Sequence, residues 1–185
     1  PHIYAKFLEA HPHFQGREIF IHDSDIIFRK LPDFSKLSGK GFNYLSDTRS
    51  YIGYNYVKGC SDAYQREYPD APDLVKVMAR VINISVDTIR KNQTNSGGAQ
   101  YFCSTHGTTP EFWRKVEKDT SVLYETLQQH DCTYPLVSGG IQAWTADMWV
   151  VLWNLWVVGG KTRLHRELDF SWATDTIVQY NKCNI

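Results

Sequence analysis

The run Ile19–Phe28, IFIHDSDIIF, constrains the fold more than any other stretch of this chain. Consecutive apolar residues point to both faces of an extended backbone. That suits a strand covered on both sides, as in a parallel sheet between helix layers. The run predicts a strand over Glu18–Phe28 in an α/β domain. Asp23 and Asp25 interrupt it one residue apart. In an extended chain that spacing puts both carboxylates on one side. Carboxylates at the end of such a strand face the crevice where α/β proteins bind ligands. Converging there, they offer hard oxygen ligands to Mg²⁺ or Mn²⁺. A solvated strand end is the plainer alternative, because an Asp-x-Asp triplet arises readily by chance.

The 185 residues suffice for one domain, 1–185, with a real core. Formal net charge is zero, which argues against a general electrostatic grip on nucleic acid or anionic membrane. Six Trp and eleven Tyr can build core or stack on sugar rings and bases. Cys60, Cys103, Cys132 and Cys183 form no C-x-x-C pair, so they read as free thiols rather than a zinc or redox motif. The apolar stretch Ile141–Val158 is interrupted by Asp147 and Asn154 and reads as a buried helix, not a membrane span. No signal peptide is visible in these residues. The expectation is a cytoplasmic protein, and a fragment of a longer chain because the sequence does not begin with Met.

Patterning predicts the remaining elements. Helices are expected over His2–Ala10, Asp73–Arg80, Val86–Lys91, after the Thr109-Pro110-Glu111 start, and from Thr145 to about Val158. Strands are expected over Gly41–Ser46, within Asn95–Phe102, and over Thr162–Leu168. Tyr51–Tyr56 reads as strand or loop wall, and Ser61–Pro72 as an exposed insertion.

Four further groups could carry chemistry. Asp147 lies in the first turn of a helix that is apolar nearly all round, with Trp144 and Thr145 at its entrance. Such an acid is either an ordinary helix-start residue or a carboxylate at the mouth of a crevice. The run Asn95-Ser96-Gly97-Gly98-Ala99-Gln100 combines neutral donors and acceptors with two glycines that permit close backbone approach. It is also what a plain turn into a strand looks like. Asp47 and Arg49 follow the second strand, where an Arg near a metal could hold a phosphate or an acid. Trp172 and Asp175 in the loop Asp169–Asp175 are candidates for stacking and hydroxyl recognition.

Taken in order, these pieces resemble a GT-A glycosyltransferase: an apolar strand ending in D-x-D, an N-S-G turn into a strand, then an acid at a helix start. The likeness is to the glycogenin-like and bacterial galactosyltransferase group, and nearer still to phage and viral glycosyltransferase-like proteins. It spans most of Ile19–Asp175. The resemblance implies a mixed, mostly parallel sheet flanked by helices. It implies Mn²⁺ (or Mg²⁺) on Asp23 and Asp25, bridging the diphosphate of a UDP- or GDP-linked sugar. It further implies that Asn95-Ser96-Gly97 lies beside donor and acceptor, and that Asp147 faces the reacting sugar as the catalytic carboxylate, either orienting or deprotonating the acceptor hydroxyl or stabilising positive charge on the sugar ring. A carbohydrate or other hydroxyl compound would be the acceptor. Only 22 residues precede Asp23, where the family places a strand and helix that hold the nucleobase. That unit is expected to be missing, and neither His130 nor His165 matches the family's third metal ligand.

Two alternatives belong to other classes. A phosphatase of the haloacid dehalogenase type also sets D-x-D after an apolar strand and would use Asp23 as nucleophile. Ile26-Ile27-Phe28 departs from its small or hydroxyl residue after the second Asp. A non-catalytic carbohydrate-binding module would use Trp144 and Trp172 as stacking platforms.

Overall fold

The long apolar run is a strand for only three of its residues. In the computed structural model, which describes residues 1–185, the chain order is α1 (His2–Ala10), β1 (Ile19–Ile21), β2 (Asn43–Leu45), α2 (Arg49–Ile52), α3 (Tyr54–Glu67), α4 (Leu74–Ile82), α5 (Val86–Lys91), β3 (Tyr101–Cys103), α6 (Pro110–Thr133), α7 (Ala146–Val157), β4 (Thr162–Leu164) and α8 (Ile177–Tyr180). β1 ends at Ile21 because its neighbour ends there too. Ile21 pairs with Tyr101, and two residues before Tyr101 the backbone of Ala99 turns to φ +67°. Beyond that point β1 would have no partner for its backbone N–H and C=O groups. The chain leaves the sheet instead, and Asp23 and Asp25 sit on the loop that follows.

The fold is α/β, with one small mixed sheet of order β1-β3-β2-β4 flanked by helices. β1, β2 and β4 run in one direction. β3 runs the other way and lies between β1 and β2, so both of its pairings are antiparallel and only β2–β4 is parallel. The expected mostly parallel sheet is corrected in this respect. Side chains alternate across the strands as pleating requires. Ile21, Leu45, Tyr101 and Cys103 join the main core under α1, α4, α6 and α7. Tyr44 and Phe102 point to the other face and pack with Leu37 and Leu168. Covering both faces explains why β2 and β3 are apolar at nearly every position.

Helix α7 carries the main core. Nearly all its residues are buried, including Trp149 and Trp153. A buried indole must keep a partner for its N–H. Trp149 donates to the Ile52 carbonyl at 2.9 Å, Trp156 to the Thr162 hydroxyl at 2.9 Å, and Trp113 of α6 to the Gly107 carbonyl at 2.9 Å. α6 starts as its sequence indicates: Thr109 Oγ1 accepts from the Phe112 amide at 3.2 Å, with Pro110 in the first turn. Thr145 occupies the N-cap position of α7 without capping it. Its hydroxyl donates instead to the Gln142 carbonyl at 2.9 Å.

Two further expectations change. Most of the stretch read as an exposed insertion is α3, whose Val57, Ser61 and Tyr64 form a buried stripe at helical spacing. Ser61 accepts the Leu74 amide at 3.0 Å, so a polar residue marks the helix contact rather than the surface. Tyr51–Tyr56 spans the end of α2 and the start of α3 rather than a strand. β4 stops at Leu164, and a 3₁₀ turn, Arg166–Leu168, follows it. All four cysteines are free thiols. No helix is long and apolar enough to cross a membrane.

Candidate functional site

The strand directions bring the candidate residues to one edge of the sheet. Ile21, Tyr101, Leu45 and Leu164 lie in one row across it. The carboxyl ends of β1, β2 and β4 and the amino end of β3 therefore open on the same side. Asp23 and Asp25 follow β1, Asp47 and Arg49 follow β2, the Asn95–Gln100 run precedes β3, and His165 follows β4. This is the edge at which open α/β sheets bind ligands.

Asp23 and Asp147 line one cleft of about 110 Å³, together with Tyr4, His22, Tyr101 and Val151. Both acids are exposed to solvent along one side, while protein atoms of the cleft crowd their carboxyls on the other. Burial pushes the Asp147 carboxyl above the ordinary Asp value, against the hydrogen bond it accepts from the Met148 amide at 2.9 Å. Burial also pushes Asp23 up, and the charges of Asp147 and then Asp25 add to it. The same charges reach the surrounding phenols. Tyr101 is held well above its usual range by burial and then by Asp147. Tyr4 and Tyr51 are raised by burial and then by Asp23. Tyr4, Tyr51 and Tyr101 escape a reading by motif. Tyr101 alone had a local signal, as the first residue of a strand entering this edge.

Asp23, Asp25 and Asp147 make no ion pair with any Lys, Arg or His. No group of three or more His, Cys, Asp or Glu side chains is arranged to hold a metal ion. Asp23 lines the cleft and Asp25, two residues on along the same loop, does not; its charge still reaches Asp23, so two hard carboxylates stand near one another without an ion-pair partner. That fits a Mg²⁺ or Mn²⁺ that takes one or two carboxylates and completes its shell with water and phosphate oxygen. It does not fit a cation caged by protein ligands alone.

The Asn95–Gln100 run packs inward. The Asn95 carbonyl accepts the Thr162 hydroxyl at 3.0 Å, and Ser96, Gly97, Gly98 and Gln100 are buried. A Cβ on Gly97 would stand 2.2 Å from the Ser46 carbonyl oxygen, and one on Gly98 2.7 Å from the Tyr101 hydroxyl. The space these glycines leave is filled by the protein's own β2, β3 and β4. Buried Ser46 secures the run. Its hydroxyl donates to the Gly98 carbonyl and accepts the Gln100 amide at 3.2 Å. Ala99 is the member of the run that reaches the cleft.

Asp47 and Arg49 lie in a second, larger cavity of about 790 Å³. They bind each other in a fork: Arg49 Nε to Asp47 Oδ1 at 2.9 Å and Nη2 to Oδ2 at 2.6 Å. This pairing holds the Asp47 carboxyl low and the guanidinium high. Asp169 lines the same cavity, where burial and then the Asp47 charge push its carboxyl up. Asp175 is occupied locally, accepting the Trp172 amide at 2.9 Å and the Ser171 hydroxyl at 3.1 Å. Trp172 is 51 % exposed and stands edge-on to Phe170 and Tyr51. Trp144 is 65 % exposed at the start of α7, while Thr145 beside it is fully buried.

Comparison with protein-family models, with curated proteins and with solved structures finds no match. The functional reading rests on the chemistry of this edge.

Proposed function

We propose that this chain is a metal-dependent glycosyltransferase of GT-A type, moving a sugar from a nucleotide-diphosphate sugar to a hydroxyl acceptor. One observation carries the reading: Asp23 of the D-x-D and Asp147 share a cleft at the carboxyl ends of strands running in one direction. Far apart in sequence, they had no local reason to meet.

In this reading Asp23 and Asp25 hold Mn²⁺ or Mg²⁺ together with the donor diphosphate, UDP- or GDP-linked. The bound cation supplies Lewis-acid stabilisation of the leaving nucleoside diphosphate. Asp147 orients or deprotonates the acceptor hydroxyl. Its raised pKa suits a base working nearer neutral pH than an ordinary aspartate. The Asn95–Gln100 run backs the site and reaches it through Ala99, and Tyr4 and Tyr101 wall it.

The test is sugar transfer by the intact protein with Mn²⁺ and a panel of UDP- and GDP-sugars. Asp25→Asn should lose metal-dependent transfer. Asp147→Asn should keep donor binding and lose about 10²- to 10⁴-fold in turnover, the usual contribution of a general base. Undiminished transfer by either variant would remove the role assigned to that residue. A covalent phospho-aspartate at Asp23 would replace the reading with a phosphatase.

A further inference from the structure

We infer that the larger cavity, between the loops after β2 and β4, binds neutral carbohydrate. At about 790 Å³ it falls in the range typical of ligand sites, roughly 300–1,000 Å³. Its charged residues speak against an anionic ligand. Arg49 is the only Arg or Lys in the lining, and two of its nitrogens are already committed to Asp47. Asp169 adds a second carboxylate, already crowded by the first. A phosphate or acidic ligand would meet two carboxylates and a guanidinium engaged elsewhere.

The neutral part of the lining suits a polyol. Asn55, Gln93 and Thr94 present amide and hydroxyl groups that no other protein group takes up. Asn and Gln each offer both donors and an acceptor, matching hydroxyls that are themselves both. Tyr54 and Phe170 add aromatic surface, on which the apolar face of a sugar ring can lie. Exposed Trp172, packed against Phe170, extends that surface toward Asp23 through Tyr51. The cavity's role as the acceptor subsite rests on the transferase reading; its binding of neutral glycan does not.

The intact protein is screened in EDTA, without nucleotide, against an array of neutral, sulfated and sialylated oligosaccharides. The strongest neutral hit is then titrated by NMR. Wild type should bind neutral glycans, and Asn55→Ala combined with Thr94→Ala should weaken the titrated glycan at least tenfold while leaving the circular dichroism spectrum unchanged. Both are surface residues whose loss leaves the core intact. EDTA removes any bound cation, so glycan binding under these conditions separates this site from the metal reading. Binding restricted to anionic glycans, no glycan binding at all, or equal binding by the double variant would each overturn the assignment. Neutral glycan binding by a protein that transfers no sugar would uphold it and remove the transferase reading alone.

Discussion

Asp23 and Asp147 face one cleft, and burial and then the charge of Asp147 hold the Asp23 carboxyl above its ordinary value. Two partly buried carboxylates brought together lower stability once both are ionised, and the nearby Pro1 amino group and His22 offset only part of that cost. The sign follows from linkage. With a folded pKa above the unfolded one, stability is full below the ordinary value of 3.8 and is lost as pH rises through the folded value. Asp147→Asn removes that loss. In metal-free buffer at pH 7 the variant should melt higher than wild type, by about 2 °C for a partly solvated carboxylate in a domain of this size. The gain should shrink as pH falls toward 4. A gain of equal size at both pH values would show that charge is not its cause.

A cation should reverse the same repulsion. Mn²⁺ at about a hundred times its dissociation constant should stabilise wild type by about 2.7 kcal/mol. Differential scanning fluorimetry would read this as a rise of roughly 5–10 °C, abolished by EDTA. Asp25→Asn should shift the Mn²⁺ dependence at least tenfold. If wild type and variant respond identically, the cation is bound somewhere other than the D-x-D.

Gly97→Ala should cost about 2–3 kcal/mol, the upper range for overpacking a tight site. The added methyl would stand 2.2 Å from the Ser46 carbonyl oxygen and 2.9 Å from Leu45 Cβ, neither of which can swing away. Urea denaturation with an unchanged m-value would measure it. A neutral Gly97→Ala would mean that the run lies differently against β2.

Arg29 ties the loop after Asp25 to the carboxyl end of the chain. Its guanidinium donates to the Tyr180 carbonyl at 2.7 Å and the Cys183 carbonyl at 2.9 Å, and lies over the Tyr180 ring. The Arg29 and Lys30 amides both donate to the Asn184 carbonyl, at 3.0 and 3.1 Å. Arg29→Ala should raise hydrogen exchange together at residues 22–30 and 180–185, with the α6 and α7 amides unchanged. Faster exchange in only one of the two segments would show that they are not coupled through Arg29.

Much of the local structure was legible. Thr109-Pro110-Glu111 announced α6, and the apolar girth of Ile141–Val158 announced a buried helix, because capping and periodicity act over a few residues. α3 was hidden, because the residues that bury its face include Ser61 and Tyr64 and its surface is polar. β1 was overextended, because an apolar run does not reveal where its partner strand ends.

For the site, the sequence by itself determined that two acids stand one residue apart in an apolar run and that a third opens the most apolar helix. Only the tertiary structure decided that Asp23 and Asp147 share a cleft, that Arg49 is spent on Asp47, and that the Gly97–Gly98 space is filled from within. The first set depends on neighbours along the chain. The second depends on which strand ends the sheet order brings together, and β3 running between β1 and β2 sets that order.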